Sequence, residues 1–334
     1  MDITPVIVFI ALVCAGIPVA VAVIQNSRRQ ADGGPAAQPP ISAKPAAAAS
    51  SVNGRYEMKT PPYKQGGMAT IWLGKEKGTN RNCIIKTPRR GTNIDNVYLD
   101  KLMQEAGYLK RLSHPNIVKY LDDFYLNGEF HLVVEYISGD NMMPSSPRSS
   151  QGEQKVVDWA RQLLDALAYI HSAGMIHRDV NPKNIMLGSD GSVKLIDFGT
   201  AKALNGGIKE TGDKDPFTQI ANKGFDIPEL FMGGESDQRC DLCGLAQTCI
   251  YLLTLRQPND LCASLINTNW PRSYSEAAAV ANHLISSGIS KRTSRCLAQA
   301  VMFSPGSRFA SAHAMLAALS QGSIPAASNA EAPK

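Results

Sequence analysis

Two short stretches, eighteen residues apart from aspartate to aspartate, restrict the fold of this chain more than anything else in it. The first is Ile176-His-Arg-Asp-Val-Asn-Pro-Lys-Asn-Ile-Met-Leu187 and the second is Val193-Lys-Leu-Ile-Asp-Phe-Gly199. Either alone would be a weak signal. Upstream, Tyr63 to Gly74 reads as two strands joined by a glycine turn, and Cys83 to Lys86 as a third, apolar strand ending in a lysine. Val97 to Leu112 has helical spacing and places Glu105 mid-helix. Ser113-His-Pro-Asn-Ile-Val118 follows, then an alternating strand pair that ends at Leu132 to Ile137. The second half reads as mostly helical, with an apolar helix over 241–254. Taken singly, Gly66-Gly67 is only a hairpin signal and Glu105 only a solvated carboxylate.

In this order and spacing the motifs resemble eukaryotic-type (Hanks-type) serine/threonine protein kinases. The Gly66-Gly-Met-Ala-Thr70 loop is most similar to bacterial membrane-anchored members. The resemblance covers 55–320 and implies an α+β, two-lobed protein kinase fold, with a β-rich N-lobe at 55–137 and a helical C-lobe at 138–320. It also implies transfer of the γ-phosphoryl of ATP to serine or threonine hydroxyls of proteins. Such transfer asks a protein mainly to position two oxygens and neutralise charge. On the resemblance, Lys86 holds the α- and β-phosphates and is oriented by an ion pair with Glu105. Asn184 and Asp197 carry Mg²⁺, with Mn²⁺ as an alternative, and Asp179 accepts or orients the proton of the substrate hydroxyl. Gly66, Gly67, Ala69 and Ile71 would lie against the nucleotide. Glu135 and Ile137 would form the adenine-facing hinge, which reads the base through backbone groups, with Val134 as gatekeeper. Glu229 in Ile227-Pro-Glu229 is expected to pair with Arg308, and Asp241 to brace the catalytic loop.

Three departures from the family pattern stand out. The phosphate loop keeps one of three usual glycines, with Lys64 and Ala69 at the first and third places; Lys64 is expected to point to solvent. Asn181 replaces the lysine that the family carries two residues after the catalytic aspartate, and Lys183 is the next basic residue, so Lys183 is a candidate to supply the missing charge. Asn222, seven residues before Glu229, replaces the threonine that would contact that lysine; two amides could keep the hydrogen bond while losing the charge. Arg178 beside Asp179 implies control by activation-loop phosphorylation. Thr200, Thr211 and Thr218 lie in the loop 199–229, with Thr211 and Thr218 the expected regulatory sites and Asp213 or Asp215 the constitutive alternative.

Residues 1–4 form a short start, and Pro5 to Ile24 follow as twenty residues without a charge, enough to span a bilayer core of roughly 30 Å as a helix. Arg28 and Arg29 against Asp2 orient that transmembrane helix with the remainder cytoplasmic. Residues 25–54 read as an Ala/Pro-rich tether and 321–334 as a disordered tail. With 34 Lys plus Arg against 29 Asp plus Glu, the net charge of +5 is too mild to call for nucleic acid. Seven scattered cysteines exclude a disulfide framework and fit a reducing compartment; Cys240-Asp-Leu-Cys243 has no second pair and reads as small buried residues opening a helix.

The expected partners are ATP, protein substrates, the membrane and a second copy for trans-autophosphorylation, without nucleic acid. The competing function is a pseudokinase, a scaffold or binding module that keeps the fold and transfers little. The presence of Lys86, Glu105, Asp179, Asn184 and Asp197 together favours the enzyme.

Overall fold

The computed structural model describes residues 49–91, 95–143, 149–204 and 224–320. The expected transmembrane helix at 5–24, most of the tether, the tail, Thr211, Thr218 and Asn222 lie outside them. Among the described residues no helix is long and apolar enough to cross a membrane.

The first half is a sheet with one helix against it. Strands β1 (Ala49–Val52), β2 (Tyr56–Lys59), β3 (Lys64–Gln65), β4 (Ala69–Glu76), β5 (Asn82–Pro88), β6 (Tyr120–Leu126) and β7 (Glu129–Glu135) form it, in the order β1-β2-β4-β5-β7-β6 with β3 on the edge of β4. All pairings are antiparallel. Asn127 and Gly128, both at positive φ, make the tight turn between β6 and β7, the backbone twist a two-residue hairpin requires. The sheet starts six residues earlier than the expected boundary at 55, inside the stretch read as tether. Only Val52 of that strand is large and apolar, and it buries against Tyr56, Cys83, Ile85 and Val133; one side chain leaves no periodic pattern in a sequence. Helix α1 (Asp95–Leu109) packs on β5 and turns Leu102, Glu105, Ala106 and Leu109 inward.

The second half contains α2 (Glu153–Ser172), α3 (Pro228–Phe231), α4 (Arg239–Thr254), α5 (Pro258–Ile266), α6 (Tyr274–Ser286), α7 (Lys291–Ala300) and α8 (Ala312–Ser320). Small pairings of β8 (Gly139–Asn141), β10 (Ile185–Gly188) and β11 (Val193–Leu195), and of β9 (Met175–Ile176) with β12 (Lys202–Ala203), lie between the helices and the sheet. Helix α2 carries buried residues at 156, 160, 163, 164, 167 and 170, a one-sided stripe. Helix α4 buries thirteen of its sixteen residues, so it is the axis of this half, covered on every side. Gly244 on α4 is where the catalytic stretch lies closest, because a Cβ there would meet the Val180 carbonyl oxygen at 2.3 Å. Cys240 and Cys243 are fully buried on the same helix, and burial pushes the Cys243 thiol up to about 11, consistent with core residues.

One buried ion pair ties α3 to the far end of the chain. Arg308, on the loop before α8, makes two parallel bonds to Glu229, at 2.7 and 2.8 Å, and gives its other donors to the carbonyls of Met302, Arg239 and Phe303. All five guanidinium N–H groups are used, a geometry lysine cannot copy. Arg308→Ala leaves Glu229 as an unpaired buried charge, so chemical denaturation is expected to lose about 3–5 kcal/mol of stability. Arg308→Lys should recover only part of that.

Candidate active site

The cleft between the halves has a volume of about 270 Å³ and is lined, among others, by Gly66, Lys86, Glu105, Asp179, Asn181 and Asp197. From five separate segments it brings together Gly66, Lys86, Glu105, Asp179 with Asn181, and Asp197, whereas Lys183, Asn184, Glu135 and Ile137 are not among its lining residues.

Lys86, at the end of β5, donates to Glu105 Oε1 at 2.7 Å and lies 3.6 Å from Asp197 Oδ1. Glu105 is therefore not the solvated carboxylate of a surface helix: it is buried, and it also accepts the Phe198 amide at 3.3 Å. The three groups form a charge set of one cation and two anions. Burial costs the Lys86 ammonium, yet Asp197 and then Glu105 hold its pKa above the ordinary value. The Lys86 ammonium likewise holds the Asp197 carboxyl below its usual range, while burial dominates at Glu105 and pushes its carboxyl up. Asp197 keeps about half of its side chain exposed to the cleft, free to take a further ligand.

The catalytic stretch is held by a buried carboxylate. Asp241 of α4 accepts the backbone amides of His177 at 2.9 Å and Arg178 at 2.7 Å, and the His171 ring at 2.8 Å. Arg178 has φ 68° and Asp197 φ 65°, left-handed conformations that β-carbon residues adopt only under constraint. His177 Nε2 donates to the Ile196 carbonyl at 3.1 Å while its Nδ1 accepts the Asp179 amide at 3.3 Å, which fixes the neutral tautomer. Its ring meets Phe198 edge-on, so the two motifs that stand out in the sequence interlock.

Asp179 is oriented by two amides. Asn184 donates to Oδ2 at 2.7 Å and Asn181 to Oδ1 at 2.6 Å. Asn181 Oδ1 accepts the Lys183 amide at 2.9 Å, which forces its NH₂ toward Asp179. The position that the resemblance would give to a cation is thus a neutral donor on the catalytic carboxylate. Lys183 itself is exposed, and its side chain is not among the cleft-lining groups. Thr200 donates to the His177 carbonyl at 3.1 Å, and the buried Arg178 Nε has no hydrogen-bond partner among the described residues.

On the opposite side, the Gly66 amide donates to the Ala69 carbonyl at 2.8 Å, and Arg89 supports the Met68 and Gly67 carbonyls at the loop tip. A Cβ on Gly66 would approach the Ala69 oxygen to 3.0 Å. Ala69 and Ile71 line the cleft, as does Met68, whose sulfur lies over Gly199; Lys64 is exposed, as expected. Glu135 ends β7; its Oε1 accepts the Lys119 amide at 2.8 Å and the Lys194 ammonium at 2.7 Å, and its own amide donates to the Lys119 carbonyl at 2.9 Å. Ile137 is half-buried just beyond it. Sequence reasoning missed Met68, whose place over the cleft follows from a tight turn with no signature of its own. It also missed Asp226, Asn259 and Trp270, far apart along the chain and joined by hydrogen bonds only in the folded molecule.

Burial lowers the pKa of His177, overriding the opposite pull of Asp241 and Asp197. Unfolded histidine titrates near about 6.5, so below that pH the unfolded chain binds a proton that the folded ring refuses. Stability in urea should therefore fall as pH drops from about 7 to 5, by up to about 1.4 kcal/mol per pH unit from this residue. His177→Gln should flatten that slope.

The sequence matches the protein kinase domain family over residues 64–304. Serine/threonine-protein kinase F of Synechocystis sp. is 30% identical over 65% of this chain and 47% of its own length. Serine/threonine-protein kinase D of the same organism is 31% identical over 81% of this chain and 54% of its own, and PknA of Nostoc sp. 30% identical over 78% and 46%. The chain thus spans about half the length of these curated relatives. The PknI kinase domain of Mycobacterium tuberculosis superposes with a TM-score of 0.59 at 22% identity, covering 82% of this chain and 98% of that one, and shares the two-lobed fold. The chain belongs to the protein kinase domain family.

Proposed function

We propose that this protein transfers the γ-phosphoryl of ATP to serine or threonine hydroxyls of proteins at the cytoplasmic face of a membrane, held there by its 5–24 segment. The observation that carries the reading is the linked set of Lys86, Glu105, Asp197 and the Phe198 amide, assembled with Asp179 already oriented. The names of the relatives favour serine/threonine over tyrosine. The charge-free run ahead of Arg28 and Arg29 supports the membrane anchor.

Mg²⁺ fits the donor set. Both Asn184 donors go to Asp179, which leaves Asn184 Oδ1 to pair with the cleft-facing Asp197 carboxylate as hard oxygen ligands. Such an ion would be bound largely through the nucleotide. When bound, the ion would neutralise charge on the phosphates. Lys86 contributes a fixed cation beside the phosphates, held by Glu105. Asp179 takes the hydroxyl proton through hydrogen bonding and aims the oxygen. The backbone of Gly66 and Gly67 lies close over the phosphates, and Lys183, swinging in from solvent, adds the charge absent at Asn181. The orphan Nε of Arg178 suits a phosphate on Thr211 or Thr218 as the activating partner.

Labelled ATP with Mg²⁺ tests the reading: Lys86→Ala and Asp179→Asn should each reduce label transfer by at least about a hundredfold. Equal signals in both variants and the wild type would leave a binding scaffold. Lys183→Ala should lower kcat about tenfold or more with the KM for ATP little changed, and adding Asn181→Lys should restore part of the loss. An unchanged kcat in Lys183→Ala removes Lys183 from the mechanism.

A further inference from the structure

One carboxylate in the cleft has no part in the chemistry above. Asp226 lies between Phe225 and Ile227 on the segment that leads into α3, and it lines the same cavity as Asp179. Its backbone is fixed with unusual thoroughness. The Asp226 carbonyl accepts Trp270 Nε1 at 2.8 Å, Gln247 Nε2 at 2.9 Å and Asn259 Nδ2 at 3.4 Å, from α4, α5 and the loop before α6. Gln247 and Asn259 are buried and also bond each other at 3.1 Å. A carbonyl that gathers three buried donors holds its residue in one place, and the Cα–Cβ direction with it.

The side chain gains much less. Its carboxylate has the Asn259 amide at a long 3.4 Å, and no ion pair joins it to a lysine or arginine among the described residues. It is half-buried, and burial raises its carboxyl pKa against the opposing hydrogen bonds from Asn259 and the Gly224 amide. A partly desolvated anion without a cation is a costly arrangement that a cationic partner relieves. Beside it, Phe231 also lines the cavity and is 53% exposed, its ring 6.0 Å from Trp270. A fixed carboxylate next to an open aromatic face matches a lysine or arginine: the methylenes lie on the ring and the head reaches the anion.

We propose that Asp226 and Phe231 form a subsite for a basic side chain of the protein substrate, within one or two residues of the hydroxyl presented to Asp179. This rests on the cleft being where protein hydroxyls meet ATP, and it adds the class of sequence selected there. Asp226 acts as a specificity residue; no bond to it forms or breaks.

The test uses the full chain with serine peptides that carry Lys, Ala or Glu at each of the two positions on either side of the acceptor. The best Lys peptide should have a KM roughly five- to tenfold below its Glu counterpart, the scale of one half-buried charged contact, with kcat within about twofold. Asp226→Asn keeps the size and the Asn259 bond and should bring the ratio close to one; Asp226→Lys should invert it toward Glu. Added salt should narrow the wild-type ratio. A wild type indifferent to the flanking charge, or a lysine preference that persists in Asp226→Asn, overturns the subsite. The same peptides with the acceptor serine replaced by alanine, followed by fluorescence anisotropy in the presence of Mg²⁺ and ADP, separate this idea from phosphoryl transfer. If no peptide is phosphorylated, a Lys-over-Glu affinity ratio lost in Asp226→Asn still upholds the subsite, and equal affinities sink it.

Discussion

The Asp241 carboxylate is the constraint on which the rest of the site depends. Lying at the start of the most buried helix, it accepts two consecutive amides of the catalytic stretch and the ring of His171. Those bonds hold Arg178 in a left-handed conformation it would not keep alone, and that turn directs Asp179 into the cleft while His177 points back toward Ile196. A buried anion is expensive, so the bonds it makes have to be many and short; Asp241 meets that condition with neutral donors more than with ions. The interlock of His177 with Phe198 starts from this one carboxylate.

Around it the cleft shows two styles of charge management. The Lys86–Glu105–Asp197 set concentrates charge, one cation shared between two anions, and leaves a net negative pocket ready for metal ions and the phosphates they carry. At Asp179 charge is diluted, because Asn181 and Asn184 offer dipoles in place of an ammonium. The Asn181 amide is caught between the catalytic carboxylate and the Lys183 amide, so its orientation is determined and the short helical turn after it is capped. The loss of a charge and the gain of a rigid loop are one substitution seen from two sides.

Much of this was legible in the sequence, and the reasons are physical. Lys86, Glu105, Asp179, Asn184 and Asp197 are set by chemistry that tolerates few residue types, so their spacing survives as a pattern. Glu229 and Arg308 could be matched for the same reason, since a buried guanidinium needs its carboxylate. The short strand at Ala49–Val52 was hidden because a sheet edge asks for backbone pairing more than for particular side chains. The bond from Asn181 to Asp179 was hidden too: the substitution was visible, but whether an amide faces its neighbour or solvent is decided by the turn that follows. Asp226 was missed because nothing marks a carboxylate as unpaired until the helices that surround it are in place.

The buried cysteines carry a different consequence. Cys83 lies in the sheet, Cys240, Cys243 and Cys249 on the central helix, Cys262 on α5 and Cys296 on α7; all six are free and enclosed. Burial holds the Cys83 thiol at about 11 and those of Cys249 and Cys262 at about 12, so almost none is thiolate while the fold is closed. Alkylating reagents and oxidants then reach each sulfur only as fast as its surroundings open. The six thiols are distributed so that their relative labelling rates would report, lobe by lobe, which part of the molecule breathes first.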